Sequence, residues 1–190
     1  MSPRIGLQLD TILETAAHLL NQEGLEHISM GTLAKELNIK TPSLYNHVNG
    51  LQDLRQKLAI YGLKKLYNSM LRSAIGLSGD EAVYSVSRAY VDFARMNPGL
   101  YDASNRAADK NDPELHDAQN AIVQLVIKVL DIYGFEREHI LHMVRGLRSI
   151  LHGFAAIEMA GGFGMPLDID KSISLTVNTF LSGMKSLKTK

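Results

Sequence analysis

Several features that would indicate a particular chemistry are absent from this 190-residue chain. It has no cysteine, which excludes disulfides, thiolate zinc sites, iron–sulfur ligation and thiol catalysis. Its 20 basic and 20 acidic residues give a net charge of zero. Overall charge therefore supplies no argument for a nucleic-acid, membrane or acidic-substrate partner, and any such partner must be inferred from a local motif.

Long apolar runs are also missing. The most apolar stretch, 153–167, is interrupted by Glu158 and several glycines. It is shorter than the roughly 18 to 20 residues that a membrane-spanning helix needs. The first residues contain no apolar segment resembling a signal peptide. Because 45% of the residues are hydrophobic and 21% are charged, as in ordinary globular proteins, we expect a soluble protein of the cytoplasm.

Apolar residues recur at helical spacing along nearly the whole chain, and no useful length shows the strict alternation of a half-buried strand. The sequence therefore predicts an all-α fold. Glycine and proline signals separate the segments, with Gly24 and Gly134 as predicted helix ends and Asp112 as a predicted N-cap. The predicted helices span about 8–22, 30–37, 42–48, 51–71, 80–96, 100–108, 113–133, 136–160 and 168–187.

The segment from Ile28 to Val48 has the pattern of two short helices joined by a tight turn. Ser29 is a candidate N-cap, and Asn38 tolerates the left-handed conformation in which the chain leaves the first helix. The buried face of that helix is predicted to be Leu33, Ala34 and Leu37. Thr41 precedes Pro42, whose fixed φ suits a first helical turn, so Thr41 is predicted to cap the second helix.

The second helix is predicted to have a core side and a polar side. At 100° per residue, Leu44 and Val48 lie together, on a different side from the polar residues of the helix. Its polar side is formed by Pro42, Ser43, Asn46 and His47. Such a helix suits the major groove of DNA, where small and amide side chains reach base edges and phosphates. On spacing alone, an ordinary pair of surface helices fits equally well.

The stretch from Leu9 to about Leu58 resembles the N-terminal domain of the tetracycline-repressor-like (TetR) family of transcriptional regulators. The most specific part is the Leu-Tyr-Asn-His-Val run at 44–48, which follows the motifs Glu23-Gly24 and Ser29-Met30. The resemblance implies a helix-turn-helix DNA-binding domain at 1–50 and a larger helical domain for ligand binding and dimerisation at 51–190. Within the larger domain, 145–153 followed by 161–166 resembles a family subgroup with a C-terminal His-Gly element.

Carried over by position, the resemblance implies that eight side chains face DNA: Thr32, Lys40, Thr41, Pro42, Ser43, Tyr45, Asn46 and His47. Tyr45 and His47 would mainly hold the phosphate backbone, while Pro42, Ser43 and Asn46 are better placed for bases.

Two features depart from the family pattern. Many members carry a lysine at the start of the fourth helix, where this chain has Leu51. Residues 1–50 contain three basic against five acidic side chains, a balance of −2. We therefore expect specific DNA binding with few ion pairs and a shallow salt dependence, with backbone N–H groups at helix N-termini contributing phosphate contacts.

The last two predicted helices are apolar on more than one side, which indicates burial in the centre of the protein or between subunits. The resemblance implies a two-fold dimer formed by these helices, whereas a single thick monomeric core is the alternative. The candidate dimer residues are Ile150, Ile157, Val177, Phe180, Leu181 and Met184.

A ligand pocket is expected among the middle helices. Its candidate lining is Phe93, Met96, Tyr101, Leu125, Met143, Leu147, Leu151 and Phe154. Apolar residues of a helical protein are more often plain core, so this interpretation stays open for each of them.

No metal, cofactor or catalytic centre is predicted. His139 and His142 share a helical face, but the sequence fixes no third ligand, and no nucleophile-elbow, P-loop or dinucleotide motif is present. His152 lies in an apolar stretch and is expected to be a buried core histidine. We interpret the chain as a ligand-responsive transcriptional repressor, without enzymatic activity, that binds palindromic operator DNA as a homodimer and is released by a small, largely apolar effector. The alternative is an all-α adaptor or small-molecule carrier that does not bind DNA.

Overall fold

The computed structural model describes residues 7–187. Regular structure in that range is helical throughout, which confirms the predicted all-α fold. The helices are α1 (Leu9–Glu23), α2 (Met30–Glu36), α3 (Thr41–Leu44), α4 (Leu51–Ala74), α5 (Gly79–Met96), α6 (Pro98–Asn105), α7 (Pro113–Leu130), α8 (Arg137–Met159) and α9 (Ile169–Ser186), with a 3-10 turn at Asp131–Tyr133. In the described range, no helix has the length and apolarity needed to cross a membrane.

The second helix of the helix-turn-helix is shorter than predicted. It was expected over 42–48, but α3 ends at Leu44. The chain then continues as turns, in which the N–H groups of His47 and Val48 donate to the carbonyl oxygen of Leu44 at 2.9 and 3.0 Å. Gly50, with φ of 88°, redirects the backbone before α4. Turns at 45–47 therefore replace the last part of the predicted helix.

The start of α2 is fixed as predicted. The Thr32 N–H donates to Ser29 Oγ at 3.1 Å, and the Ser29 N–H donates to Thr32 Oγ1 at 2.9 Å, so each residue satisfies a free donor of the other. Thr41, in contrast, does not cap α3. Lys40 occupies the cap position without a side-chain hydrogen bond, because Pro42 already sets the first helical turn.

The predicted ends of the later helices are confirmed at two positions. Asp112 Oδ1 accepts from the N–H groups of Glu114 and Leu115 at 2.8 and 3.4 Å, which caps α7. Gly134 adopts the left-handed conformation, with φ of 65°, after the 3-10 turn. Asp112 therefore fixes the start of α7, and Gly134 separates the 3-10 turn from α8.

One compact unit contains residues 7–64 and 97–117, that is α1, α2, α3, the first part of α4, α6 and the start of α7. The start of α6 lies against the end of α1. A Cβ added at Gly99 would stand 2.0 Å from the backbone oxygen of Leu20, and the Leu100 N–H donates to Asn21 Oδ1 at 3.1 Å. The unit defined by packing therefore includes residues beyond 50, the position predicted as the domain boundary.

The buried side chain of Gln56 ties α4 to the segment before α7 in the same unit. Its Nε2 donates to the Asp109 carbonyl oxygen and to Asp112 Oδ2, both at 3.0 Å, and its Oε1 accepts from the Asp109 N–H at 2.9 Å. The hydrogen bond from Gln56 lowers the pKa of Asp112. These bonds fix the first part of α4.

The second compact unit contains residues 65–96 and 118–187. Within it, α5 packs against α8 and α9. At one end of α5, Asp80 accepts hydrogen bonds at 2.6 Å from both Lys185 Nζ and the Tyr133 hydroxyl, and these two groups lower the pKa of Asp80. At the other end, Arg95 pairs with Glu158 at 2.9 Å.

Candidate nucleic-acid interface

The helix-turn-helix is held by a small apolar core. Leu33, Leu44 and Val48 are at most 1% exposed. Between α2 and α3, Asn38 has φ of 53°, which confirms its predicted left-handed conformation. The N–H of Ile39 donates to the Ala34 carbonyl oxygen at 3.0 Å, closing the turn. The predicted core side of the second helix is therefore confirmed, although the helix itself is short.

The opposite side presents the residues that were predicted to face DNA. Five of the eight are exposed: Thr32, Lys40, Pro42, Tyr45 and Asn46. The other three are half-buried: Thr41, Ser43 and His47. Tyr45 keeps 55% of its surface accessible to solvent, so much of its side chain is not stabilised by contacts within the protein.

Few positive charges surround this surface. Lys35 and Lys40 are exposed, and Glu36 stands between them in the sequence. Leu51, where many family members have lysine, is the half-buried first residue of α4. Asp53, one turn into the helix, binds the Asn49 N–H at 2.7 Å. The first turn of α4, 51–54, therefore carries one acidic side chain and no cationic one, and Lys57 in the next turn pairs with Asp53 at 2.6 Å.

Two family models cover most of the chain. One described as "Bacterial regulatory proteins, tetR family" matches residues 12–54, and one described as "Tetracyclin repressor-like, C-terminal domain" matches residues 83–180. The chain is 43% identical to the HTH-type transcriptional regulator YobS of Bacillus subtilis (strain 168), over 97% of this chain and 96% of that protein. It is 33% identical to the HTH-type transcriptional regulator Rv0681 of Mycobacterium tuberculosis, over 94% of this chain and 82% of that protein.

Solved structures share the fold at low identity. A protein from Rhodococcus sp. RHA1 has a TM-score of 0.83 and 19% identity, covering 96% of this chain and 98% of that one. A TetR variant from Acinetobacter baumannii AYE, in complex with minocycline, has a TM-score of 0.72 and 17% identity, covering 95% of this chain and 98% of that one.

The fold and the exposed surface of α3 define a helix-turn-helix DNA-binding protein. With the two family matches and the full-length relatives, the chain belongs to the TetR family of transcriptional regulators. This is a family of regulators and not of enzymes. The resemblance to a His-Gly subgroup is not confirmed by the C-terminal match.

The residues predicted to line a ligand pocket are scattered in the structure. Four are buried in the core of the second unit: Phe93, Leu125, Leu147 and Leu151. Tyr101 is buried in the first unit. Met96 is 77% exposed, while Met143 and Phe154 are half-buried. None of the eight residues lines the cavity described for residues 7–187. Their role in ligand binding stays a prediction.

The residues predicted for a dimer interface fall into two sets. Val177, Leu181 and Met184 are at most 2% exposed and belong to the core of the protomer itself. Ile157 is 46% exposed, and Ile150 and Phe180 are half-buried, so these three retain surface for a partner. The spacing of apolar residues on α9 could not separate the two sets, because both faces of the helix carry them.

Two further observations concern polar groups. His152 is exposed on α8, so the expectation of a buried core histidine is wrong: its side chain lies outside the buried stripe that contains Leu151 and Ala155. Within residues 7–187, no three His, Asp or Glu side chains are grouped to hold a metal ion.

The sequence did not predict a groove between α5 and α9, which is lined by residues that are distant from each other in the chain.

Proposed function

We propose that this regulator is a cytoplasmic, ligand-responsive repressor that binds a palindromic operator as a homodimer and leaves it when a small, largely apolar effector binds. The observation that carries the DNA part is the polar and aromatic surface from Pro42 to His47. Pro42, Tyr45 and Asn46 are exposed in this surface, Ser43 and His47 are half-buried, and the buried side chains of Leu44 and Val48 hold it in place. A rigid base beneath an exposed reading surface is what sequence recognition requires.

The chemistry of each exposed group suggests its role. The Asn46 amide offers a donor and an acceptor, the pair that matches the major-groove edge of adenine. The Tyr45 hydroxyl and the His47 ring suit phosphate oxygens, which fix the register of the protein on the duplex. Ser43 and Pro42, with small side chains, allow the start of α3 to approach the bases closely.

Dimerisation is supported by apolar surface on the last two helices. Ile157 on α8 is 46% exposed and Leu175 on α9 is 58% exposed, and both would lose water contact in an interface. We propose that these residues, with Ile150 and Phe180, meet a second copy. Val177, Leu181 and Met184 would support the interface from inside the protomer. A two-fold dimer places two copies of α3 on successive half-sites, about 34 to 36 Å apart or at a related spacing.

Release by an effector requires that the effector bind one arrangement of the two copies of α3 better than the other, since equal affinity shifts no equilibrium. The helix α4 suits this role because it contributes residues up to 64 to the first unit and residues from 65 to the second. A change in its tilt would change the spacing of the recognition helices. The TetR variant that was solved with minocycline supports a small-molecule ligand for this fold.

The proposal is tested by selecting binding sites from a library of random duplexes at moderate salt. Wild-type protein is expected to enrich one palindromic sequence, and His47→Ala is expected to lose that enrichment. His139→Ala, which removes an exposed histidine from α8, serves as the matched control and should behave as wild type. If no sequence is enriched, or if both variants bind equally, the DNA-binding proposal fails and the carrier or adaptor alternative gains support.

A further inference from the structure

Helices α5 and α9 are tied to each other at both ends. Arg95 Nη1 lies 2.7 Å from Asp170 Oδ1 at one end, and Lys185 Nζ lies 2.6 Å from Asp80 Oδ2 at the other. A groove with a volume of about 620 Å³, partly open to solvent, lies along these two helices. Sites for small molecules commonly have about 300 to 1,000 Å³. The groove is therefore large enough for a compact organic ligand.

The surface of this α5/α9 groove is mainly apolar. Val91, Ile173 and Val177 form part of it and are at most 7% exposed, so they are fixed by the core. Two of the serines in the lining already donate to backbone: Ser87 to the Val83 carbonyl oxygen at 2.6 Å and Ser174 to that of Asp170 at 2.8 Å. Because these hydroxyl donors are used, the groove suits an apolar body more than a polar one.

The charged side chains of the lining leave one carboxylate uncompensated. Arg88 Nε lies 3.6 Å from Asp92 Oδ2, and Arg95 is held by Asp170 and Glu158. Glu81 also lines the groove, and among residues 7–187 its carboxylate has no ion pair or hydrogen bond. The charge left in the lining is therefore negative.

An aromatic ring accompanies this carboxylate. Tyr84 is half-buried in the lining and follows Glu81 by three residues, so the two side chains lie on the same face of α5. A carboxylate beside an aromatic face attracts a cation through both Coulomb and cation–π interactions. This pair occupies the end of the groove near Leu77, away from the ion pairs of Arg95.

We infer that the α5/α9 groove binds a hydrophobic cation, with its apolar body on Val91, Ile173 and Val177 and its positive centre between Glu81 and Tyr84. The inference rests on the proposed function in one respect, because it gives the effector a site and a chemical class. A hydrophobic anion of the same shape would meet the uncompensated carboxylate and bind more weakly. The effect of ligand charge on affinity therefore distinguishes this site from a cleft that is only apolar.

The test is calorimetric titration of the full chain with tetraphenylphosphonium, compared with tetraphenylborate, which has nearly the same shape and the opposite charge. We expect the cation to bind and the anion to bind at least about fivefold more weakly. Glu81→Gln should weaken binding of the cation by about fivefold and should not weaken binding of the anion. Glu138→Gln, which removes an exposed carboxylate of α8 outside the groove lining, should leave both unchanged.

A second variant tests the location. Ser174 is exposed on α9 and lines the groove, so Ser174→Trp should fill the groove without disturbing the core. We expect it to abolish binding of the cation while the circular dichroism spectrum stays that of wild type. If tetraphenylphosphonium does not bind, binds equally in Glu81→Gln, or still binds in Ser174→Trp, the groove proposal is overturned.

The same samples separate the site from the release mechanism. Operator affinity is measured with and without tetraphenylphosphonium on the duplex selected above. Glu81-dependent binding with unchanged operator affinity supports the site and refutes release by this ligand. Release of the operator at the same ligand concentration in Glu81→Gln as in wild type supports an effector-responsive repressor and overturns the groove as its effector site.

Discussion

Operator binding by this regulator should weaken less steeply with added salt than that of proteins that make about six to ten phosphate contacts. Each neutralised phosphate contributes about −0.9 to the slope of log K against log salt. Among residues 7–50, the basic side chains are Lys35 and Lys40, both exposed. With two such lysines in each copy, a dimer neutralises about four phosphates and has a slope of about −3.6. Affinity should then fall about 150-fold between 50 and 200 mM salt.

The first residue of α4 offers a direct test of this reasoning. Leu51→Lys places a cation at the position where many family members have one, so a dimer gains two phosphate contacts and the slope should steepen by about 1.8. Leu71→Lys adds the same charge 20 residues further along α4, at a side chain that is 38% exposed. If position matters, Leu71→Lys should leave the slope nearly unchanged.

The measurement is fluorescence anisotropy of a labelled operator, titrated at several salt concentrations between about 50 and 200 mM. A wild-type slope steeper than about −6 would show that more cations reach the backbone than the structure provides. Equal steepening by Leu51→Lys and Leu71→Lys would show that net charge, and not contact at the start of α4, controls binding. Either result refutes the reasoning.

Three further predictions concern stability. Gln56→Leu removes three hydrogen bonds to the segment before α7 and should lower the free energy of unfolding in urea by about 1.5 to 3 kcal/mol, whereas Gln52→Leu on the exposed side of α4 should change it by less than about 0.5 kcal/mol. Gly99→Ala forces a Cβ to within 2.0 Å of the backbone of α1 and should cost at least about 2 kcal/mol by the same assay, while Gly153→Ala, in open space on α8, should be neutral or stabilising. The lowered pKa of Asp80 means that its ion pair stabilises the fold above its ordinary pKa and that this contribution is lost as the pH falls below about 4. Melting curves of Asp80→Asn should therefore depend less on acid pH than those of wild type, and an identical pH dependence would contradict this assignment.

The helix-turn-helix could be predicted because its signals are local. Ser29, Asn38 and Pro42 each act on the backbone within four residues, and the structure places the first two as predicted. The length of α3 was missed, because the apolar spacing of Leu44 and Val48 is compatible with both a helix and a helix followed by turns. A pattern of two apolar residues does not specify the backbone between them.

The packing of α6 could not be predicted from the sequence. Its contact with α1 depends on Gly99 meeting the backbone of Leu20, residues that are 79 positions apart. Gly99 follows Pro98, and in the sequence the pair has the pattern of an ordinary turn. A glycine can stand there either to form a turn or to let another backbone approach closely, and only the tertiary structure distinguishes these two roles.

Helix α9 shows why apolar composition alone could not locate the proposed dimer surface or the groove. Val177, Leu181 and Met184 are spaced by four and three residues and face the core of the protomer, whereas Leu175 and Phe180 lie off that stripe and keep accessible surface. Periodicity identifies a helix with more apolar surface than one face needs, but it does not tell which face the chain itself covers. That division depends on where α5 and α8 pack. Once the core stripe is identified, Leu175 and Phe180 are the apolar residues of α9 that remain for the proposed second copy, whereas the groove with α5 is lined partly by residues of the stripe itself, such as Val177.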